Sequence, residues 1–168
     1  MIIGLIVGIL VVAIIGVGVL AGGAPFVPTR KIWIDDAMKL AKVSADDVIV
    51  DLGSGDGAVL KQALKKGAKR AIGYEVNPLL VWWSRLRLKK FGKRAVVLNQ
   101  NFFHEKLPRD TTVIYLFQVD KVLKKIPRFI EKQRANLTTK KLRVVCFGFA
   151  LPDLEPKQKR GGMNLYEF

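Results

Sequence analysis

The stretch Val48-Ile49-Val50-Asp51-Leu52-Gly53-Ser54-Gly55-Asp56-Gly57 decides how the rest of the chain is read. A β-branched run ends in an acid, glycine follows at every second position, and a helical pattern begins at Ala58. Glycines so placed let the backbone turn sharply and approach a ligand, because no Cβ stands in the way. This is the layout of a nucleotide-type cofactor loop at the carboxyl end of a first parallel strand. Its spacing, Asp-x-Gly-x-Gly-x-Gly, departs from the Gly-x-Gly-x-x-Gly of the dinucleotide fingerprint.

Outward from the loop, apolar runs predict strands over 48–51, 70–75, 95–98, 113–117 and 142–150, with a sixth over 163–166. Helices are predicted between them. One is capped by Thr29 and runs to about Lys42; another covers 58–66 and stops at Gly67. A third opens at Asn77-Pro78, cap first and proline in the first turn, and runs to about Phe91. A fourth carries Val119, Val122, Leu123, Ile126 and Ile130 and is interrupted by Pro127. Strands alternating with helices predict an α/β, Rossmann-like, mainly parallel, doubly wound sheet. Ligands of such sheets sit at the carboxyl ends of the strands. The chain ends soon after the fifth strand, so a short sheet without its full closing antiparallel hairpin is expected.

Residues 1–24 differ from the rest. From Ile2 to Ala24 there is no charge and no polar side chain. About 20 apolar residues at ~1.5 Å each cross a ~30 Å hydrocarbon core, so this segment is predicted to be a transmembrane helix, with residues 25–168 as the soluble domain. A cleaved signal peptide would want a basic start and a shorter apolar core. The first charges after the span are Arg30 and Lys31. The positive-inside tendency therefore predicts a single-pass membrane protein with its catalytic domain in the cytoplasm. Gly4 and Gly8 form a Gly-x-x-x-Gly pair of the kind that packs two helices closely.

The chain carries 29 Lys and Arg against 14 Asp and Glu, a net charge of +15. Such a field suits anionic partners, either nucleic acid or the acidic inner leaflet. Arg85, Arg87, Lys89, Lys90, Lys93 and Arg94 form the densest basic run and are expected to face lipid. One cysteine, Cys146, lies in an apolar run and reads as a buried thiol, which excludes an internal disulfide and a cysteine-rich metal site. No metal is expected. Trp82 and Trp83 share helical spacing with Leu79 and Leu86 and read as core or membrane-surface contacts. The lone His104 reads as a surface residue of a polar loop.

Glu75 ends the second strand, 22 residues past Gly53. An acid about 20 residues beyond a glycine loop binds a pair of ribose hydroxyls, and it would repel a phosphate there. A nucleoside with a free ribose fits best. Asp51, at the tip of the first strand, can accept from an amine or order a water.

The loop followed by Gly73-Tyr74-Glu75-Val76-Asn77-Pro78 resembles the class I S-adenosylmethionine-dependent methyltransferases. More narrowly, Pro25-Phe26-Val27-Pro28 and Gly73 through Ser84 resemble the family of the ATP synthase c-subunit and adenine nucleotide translocase lysine N-methyltransferases. The resemblance implies S-adenosyl-L-methionine as cofactor, held by Thr29, Asp51, Gly53, Ser54, Gly55, Gly57, Glu75, Asn77 and Asn101. Asp51, Gly53 and Gly55 would line the methionine part, Glu75 the ribose and Asn77 the adenosine side. Asn101 stands where the superfamily often has an aspartate near the adenine amine. Residues 25–29 would cover the methionine end. Phe117, Gln118 and Asp120 are the candidate catalytic residues, the first two facing the methyl group and the third receiving a proton or capping a helix.

The reading is thus a membrane-anchored enzyme that methylates a protein lysine, with a membrane protein as its substrate. Three alternatives stay open. An RNA methyltransferase would suit the charge, but Leu116-Phe117-Gln118-Val119 lacks the Asn/Asp-Pro-Pro-Tyr/Phe of adenine N-methylation, and Cys146 is misplaced for cytosine chemistry. A small-molecule or lipid methyltransferase is the second. A non-catalytic cofactor-binding module, suggested by the short sheet, is the third.

Overall fold

The structure, a computed structural model, describes residues 26–168. The expected anchor over 1–24 and the Gly4/Gly8 pair lie outside them. Among the described residues no helix is long and apolar enough to cross a membrane.

Seven strands form one sheet: β1 (Val48–Leu52), β2 (Arg70–Glu75), β3 (Ala95–Asn99), β4 (Val113–Leu116), β5 (Arg143–Phe147), β6 (Gln158–Arg160) and β7 (Met163–Glu167). Their order is β3-β2-β1-β4-β5-β7-β6. The first five are parallel; β7 runs antiparallel to both β5 and β6. The order reverses between β1 and β4, and the glycine loop leaves β1 at that switch point. The sheet is therefore not short: the closing hairpin is complete. The missing strand, Gln158-Lys159-Arg160, is an exposed edge with no apolar alternation. Charged edges resist pairing with other chains, and the same charge hides them from a hydrophobic-pattern reading. Its turn, Gly161-Gly162, has φ of +53° and +79°, as a two-residue hairpin of the primed type requires.

Helices cover both faces: α1 (Lys31–Leu40), α2 (Ala58–Lys65), α3 (Pro78–Leu88), α4 (Asp120–Leu123) and α5 (Ile126–Arg134). Every residue of β1 is buried, as a strand covered on both sides must be. Ile49 joins Val113, Tyr115 and Val145 in packing against α1, α2 and α3. Val48, Val50 and Leu52 join Ile114, Leu116 and Cys146 against α4, α5 and the segment around Phe102. The Cys146 thiol is buried as expected, and burial pushes its pKa up to about 12.

Several boundaries differ from expectation. Arg30, not Thr29, sits at the N-cap of α1 and makes no side-chain cap bond. After Leu88 the chain tightens into a 3₁₀ turn over Lys89–Arg94, broken at Gly92. Pro127 starts a new helix instead of kinking one, since a first-turn proline forfeits no intrahelical bond. The strand β5 ends at Phe147, before Gly148 at φ +81°.

Candidate active site

At the carboxyl edge of the sheet a cleft of about 240 Å³ opens beside the glycine loop. Its floor comes from β1 and β4, where Asp51 and Tyr115 are register partners. Asp51, Gly53, Ser54, Gly55, Asp56 and Ala58 line one wall, and Glu75, Val76 and Asn77 continue it.

Glu75 holds this wall together. Its Oε2 accepts from the Gly55 amide at 2.8 Å, and its Oε1 accepts from the Asn77 amide at 2.8 Å. One carboxylate thus staples the loop after β1 to the turn after β2. Each oxygen keeps a second lone pair for a hydroxyl. The Asn77 side chain caps α3 by accepting from the Leu79 amide at 3.0 Å. The loop is further pinned by the Gly53 and Ser54 amides, both donating to the Tyr74 carbonyl at 2.9 Å.

The three loop glycines do different things. A Cβ on Gly53 would collide with the Gln118 side-chain amide, and one on Gly55 would lie 2.6 Å from the Phe26 ring. Both therefore admit groups that face the cleft. Gly57 does not line the cleft: a Cβ there would meet Ser84 Oγ of α3 at under 3.0 Å. Its φ of +74° starts α2, and its bare Cα lets α3 close on the loop. Gly57, expected among the cofactor-binding residues, is thus placed outside the cleft lining and against α3. The Ser54 side chain likewise packs back over Gly73, where it leaves no room for a Cβ, although Ser54 itself lines the cleft.

Asp51 is 2% exposed. Burial pushes its carboxyl well above the usual carboxylate range, and the charges of Glu75 and Asp56 add to the rise. Beside it the Tyr115 hydroxyl is buried and makes no hydrogen bond of ordinary geometry. Burial and the Asp51 charge hold Tyr115 neutral, with the Thr29 side chain acting in the opposite sense. Thr29 lines the cleft as expected. Tyr115 is not legible as a site residue in the sequence, because Val-Ile-Tyr-Leu reads as core; only its register opposite Asp51 reveals it.

Asn101 also lines the cleft, but its side-chain oxygen accepts from the Phe103 amide at 3.1 Å and caps a short 3₁₀ turn. Of the catalytic candidates, Phe117 and Gln118 line the cleft. Phe117 packs on Phe147 with ring centroids 4.8 Å apart. Gln118 donates through Nε2 to the Leu52 carbonyl at 2.6 Å. Asp120 does not line the cleft. It is exposed in the first turn of α4 and pairs with Lys124 at 3.0 Å, four residues on in sequence. Its proton-accepting role is not supported, and the cap itself is Val119. His104 is exposed and does not line the cleft.

Part of the rim is apolar. Val27, Val119 and Phe149 line the cleft while remaining 57%, 45% and 50% exposed. The donor set fits a cationic sulfonium nucleoside. Glu75 presents free lone pairs to a diol, Asp51 can neutralise an ammonium, and the cradle at Gly53 and Gly55 admits no Cβ.

A seven-stranded sheet of this order, with a glycine loop after an acid-bearing β1 and a glutamate at the end of β2, defines an S-adenosylmethionine-dependent methyltransferase of class I. The family model described as the ANTKMT methyltransferase domain matches residues 51–158, and the chain belongs to that family. It is 31% identical over 147 residues to a protein-lysine N-methyltransferase of Saccharolobus islandicus, covering 83% of this chain and 88% of that protein. It is 30% identical to the human lysine N-methyltransferase of the ATP synthase c-subunit, covering 82% of this chain and 57% of the human protein. The chain thus spans just over half of that longer relative. Among solved structures it is similar to an RNA methyltransferase from Salinibacter ruber in complex with S-adenosyl-L-homocysteine. That match has a TM-score of 0.74 and 29% identity, covering 84% of this chain and 92% of that one.

Proposed function

We propose that this protein is a membrane-anchored protein-lysine N-methyltransferase acting on a membrane protein, with residues 1–24 as its anchor and its catalytic domain on the cytoplasmic side. The observation that carries the amine reading is the make-up of the cleft lining. Its titratable lining residues among those described are Asp51, Asp56, Tyr74, Glu75 and Tyr115, with no lysine, arginine or histidine among them. Phe117, Val27, Val119 and Phe149 give it stretches of aromatic and apolar wall. A wall of this kind accepts the four-carbon stem of lysine.

When bound, the cofactor supplies an electrophilic methyl group on a sulfonium. Glu75 holds the ribose hydroxyls, and Asp51 faces the ammonium of the methionine part, with the Thr29 and Tyr115 hydroxyls beside it. The apolar rim strips water from the entering amine, which favours its neutral, nucleophilic form. Gln118, fixed by its bond to the Leu52 carbonyl, keeps its amide oxygen to orient that amine. Positioning of this kind supplies much of the barrier reduction in a displacement that needs no strong base. The names of the Saccharolobus and human relatives support the lysine, and the uncharged run from Ile2 to Ala24 supports the membrane.

The net charge of +15 and the Salinibacter ruber neighbour favour a second reading, RNA as the methyl acceptor. One experiment separates them. Membranes and total RNA from cells lacking the protein are incubated with the full chain and methyl-labelled cofactor. Label in a protein band, released as methyl-lysine on hydrolysis, is the expected result. Label confined to RNA or lipid overturns the proposal.

A further inference from the structure

The helix α3 is apolar on both of its faces. Its inner face, Leu80, Val81, Ser84 and Leu88, is buried against the sheet and α2. Its outer face repeats at i, i+3, i+4 and i+7: Leu79, Trp82, Trp83 and Leu86, which are 44%, 64%, 48% and 54% exposed. Water meets a continuous stripe of two leucines and two indoles, the latter with ring centroids 6.3 Å apart. Scattered exposed apolar residues need no explanation, but a contiguous stripe on one helix marks a contact surface.

The charge around the stripe identifies its partner. No acidic residue occurs between Glu75 and Glu105, whereas Arg85, Arg87, Lys89, Lys90, Lys93 and Arg94 all fall there. Three of these are spent within the fold. Arg85 donates to the Val97 carbonyl, Arg87 pairs with Asp56 at 2.7 Å, and Arg94 donates to the Ala68 carbonyl. Lys89, Lys90 and Lys93 are exposed and make no ion pair among the described residues. Tryptophan settles at the headgroup level of a bilayer, leucine below it, and lysine reaches back to anionic headgroups. The stripe also begins two residues past Asn77, which is tied to the packing site of Phe26, the first described residue. Phe26 lies against Gly55, whose amide shares the Glu75 carboxylate with the amide of Asn77, the cap of α3.

We infer that the outer face of α3 docks on an anionic bilayer, with Leu79, Trp82, Trp83 and Leu86 in the interface and Lys89, Lys90 and Lys93 on the headgroups. This rests on the membrane reading above and adds to it a defined face and orientation.

The test reconstitutes the full chain in vesicles of phosphatidylcholine and phosphatidylglycerol, with and without acyl chains brominated close to the headgroups. Bromine quenches nearby indoles. Tryptophan emission of the parent protein is expected to fall about two-fold. The Trp82→Phe/Trp83→Phe variant, which keeps only Trp33 against Phe147, is expected to show no quenching. Replacing phosphatidylglycerol with phosphatidylcholine, or Lys89, Lys90 and Lys93 with Gln, is expected to reduce the quenching. Flotation separates two failures. If the full chain does not float with vesicles, the membrane reading falls and takes this inference with it. If it floats but the parent's emission is unchanged by bromine, the anchor stands and α3 is covered by something else, a second copy or residues 1–25, which overturns the inference alone.

Discussion

Replacing Glu75 tests the site at the residue on which most of it depends. The carboxylate is 9% exposed and accepts two backbone N–H groups at 2.8 Å. Hydrogen bonds to a charged acceptor contribute ~1.5–3 kcal/mol each, and a buried orphaned donor costs a similar amount. Glu75→Ala removes both acceptors at once, so the ligand-free protein should lose ~3–6 kcal/mol, a large part of an ordinary domain's stability. Glu75→Gln keeps one oxygen and should lose about half as much. The cofactor should report a different quantity. One ribose hydroxyl forfeits its charged acceptor in the Gln variant, and at about 1.4 kcal/mol per decade that weakens binding ~10- to 100-fold. The assays are thermal melts without ligand and titration calorimetry with S-adenosylhomocysteine, at a temperature where circular dichroism shows both variants folded. A Gln variant that binds within about threefold of the parent would remove Glu75 from the ribose. An Ala variant that melts with the parent would show that the staple between the loop and the β2 turn carries no energy.

Other outcomes follow from the same geometry. Because burial raises the Asp51 carboxyl above its unfolded value of 3.8, folding favours its neutral form. That contribution is full below about pH 3.8 and is lost as pH rises through the folded value, so Asp51→Asn should raise melting temperature at neutral pH but not in acid. At pH values below the folded value, cofactor binding to the parent should also release a proton, visible as a dependence of calorimetric enthalpy on the buffer's ionisation enthalpy, and Asp51→Asn should abolish it. Gly57→Ala puts a Cβ against Ser84 Oγ at φ +74° and should cost ~2–4 kcal/mol, partly recovered by adding Ser84→Ala. Burial works to raise the Asp47 carboxyl, but the Thr112 hydroxyl, the Ser44 amide and Arg143 outweigh it and leave it depressed. Its stabilisation is therefore present above pH 3.8 and is lost as pH falls through the folded value. Asp47→Asn should cost about 3 kcal/mol in neutral-pH melts with cofactor affinity unchanged.

How much of this site is legible in the sequence follows from what each residue must do alone. Gly53 and Gly55 are visible because positive φ and close approach exclude every other side chain, and Glu75 because its distance from the loop follows from one βαβ unit. Gly57 continues the same spacing and reads as having the same role, although the atom it makes room for, Ser84 Oγ, belongs to a helix one strand later. Spacing specifies a conformation; it does not name the neighbour. Tyr115 shows the converse. Nothing in Val113-Ile114-Tyr115-Leu116 distinguishes a core tyrosine from one whose hydroxyl faces a ligand, and the distinction exists only once β4 is laid beside β1 with Tyr115 opposite Asp51. The strand β6 is hidden for a third reason. Its three residues are all exposed, so burial leaves no pattern, and the cue is the Gly161-Gly162 turn that follows it.

The helix α3 links these elements. Its cap, Asn77, shares the Glu75 carboxylate with the glycine loop; its Ser84 fills the space that Gly57 leaves; and its Arg87 reaches back to Asp56 of the same loop at 2.7 Å. Three separate ties therefore hold the cofactor loop to one rigid element. A bilayer that took up the outer face of this helix would set the height and tilt of the cleft above the membrane without touching a cofactor-binding group. The apolar rim of Val27, Val119 and Phe149 would then stand at a fixed distance from the lipid surface. Selectivity for one lysine among many on a membrane protein would follow from that distance, since a stem of four carbons tolerates little error in depth. Loosening the loop–helix ties by Arg87→Gln should accordingly weaken cofactor binding, whereas removing the outer stripe should leave cofactor affinity intact and impair only the methylation of substrates held in a bilayer.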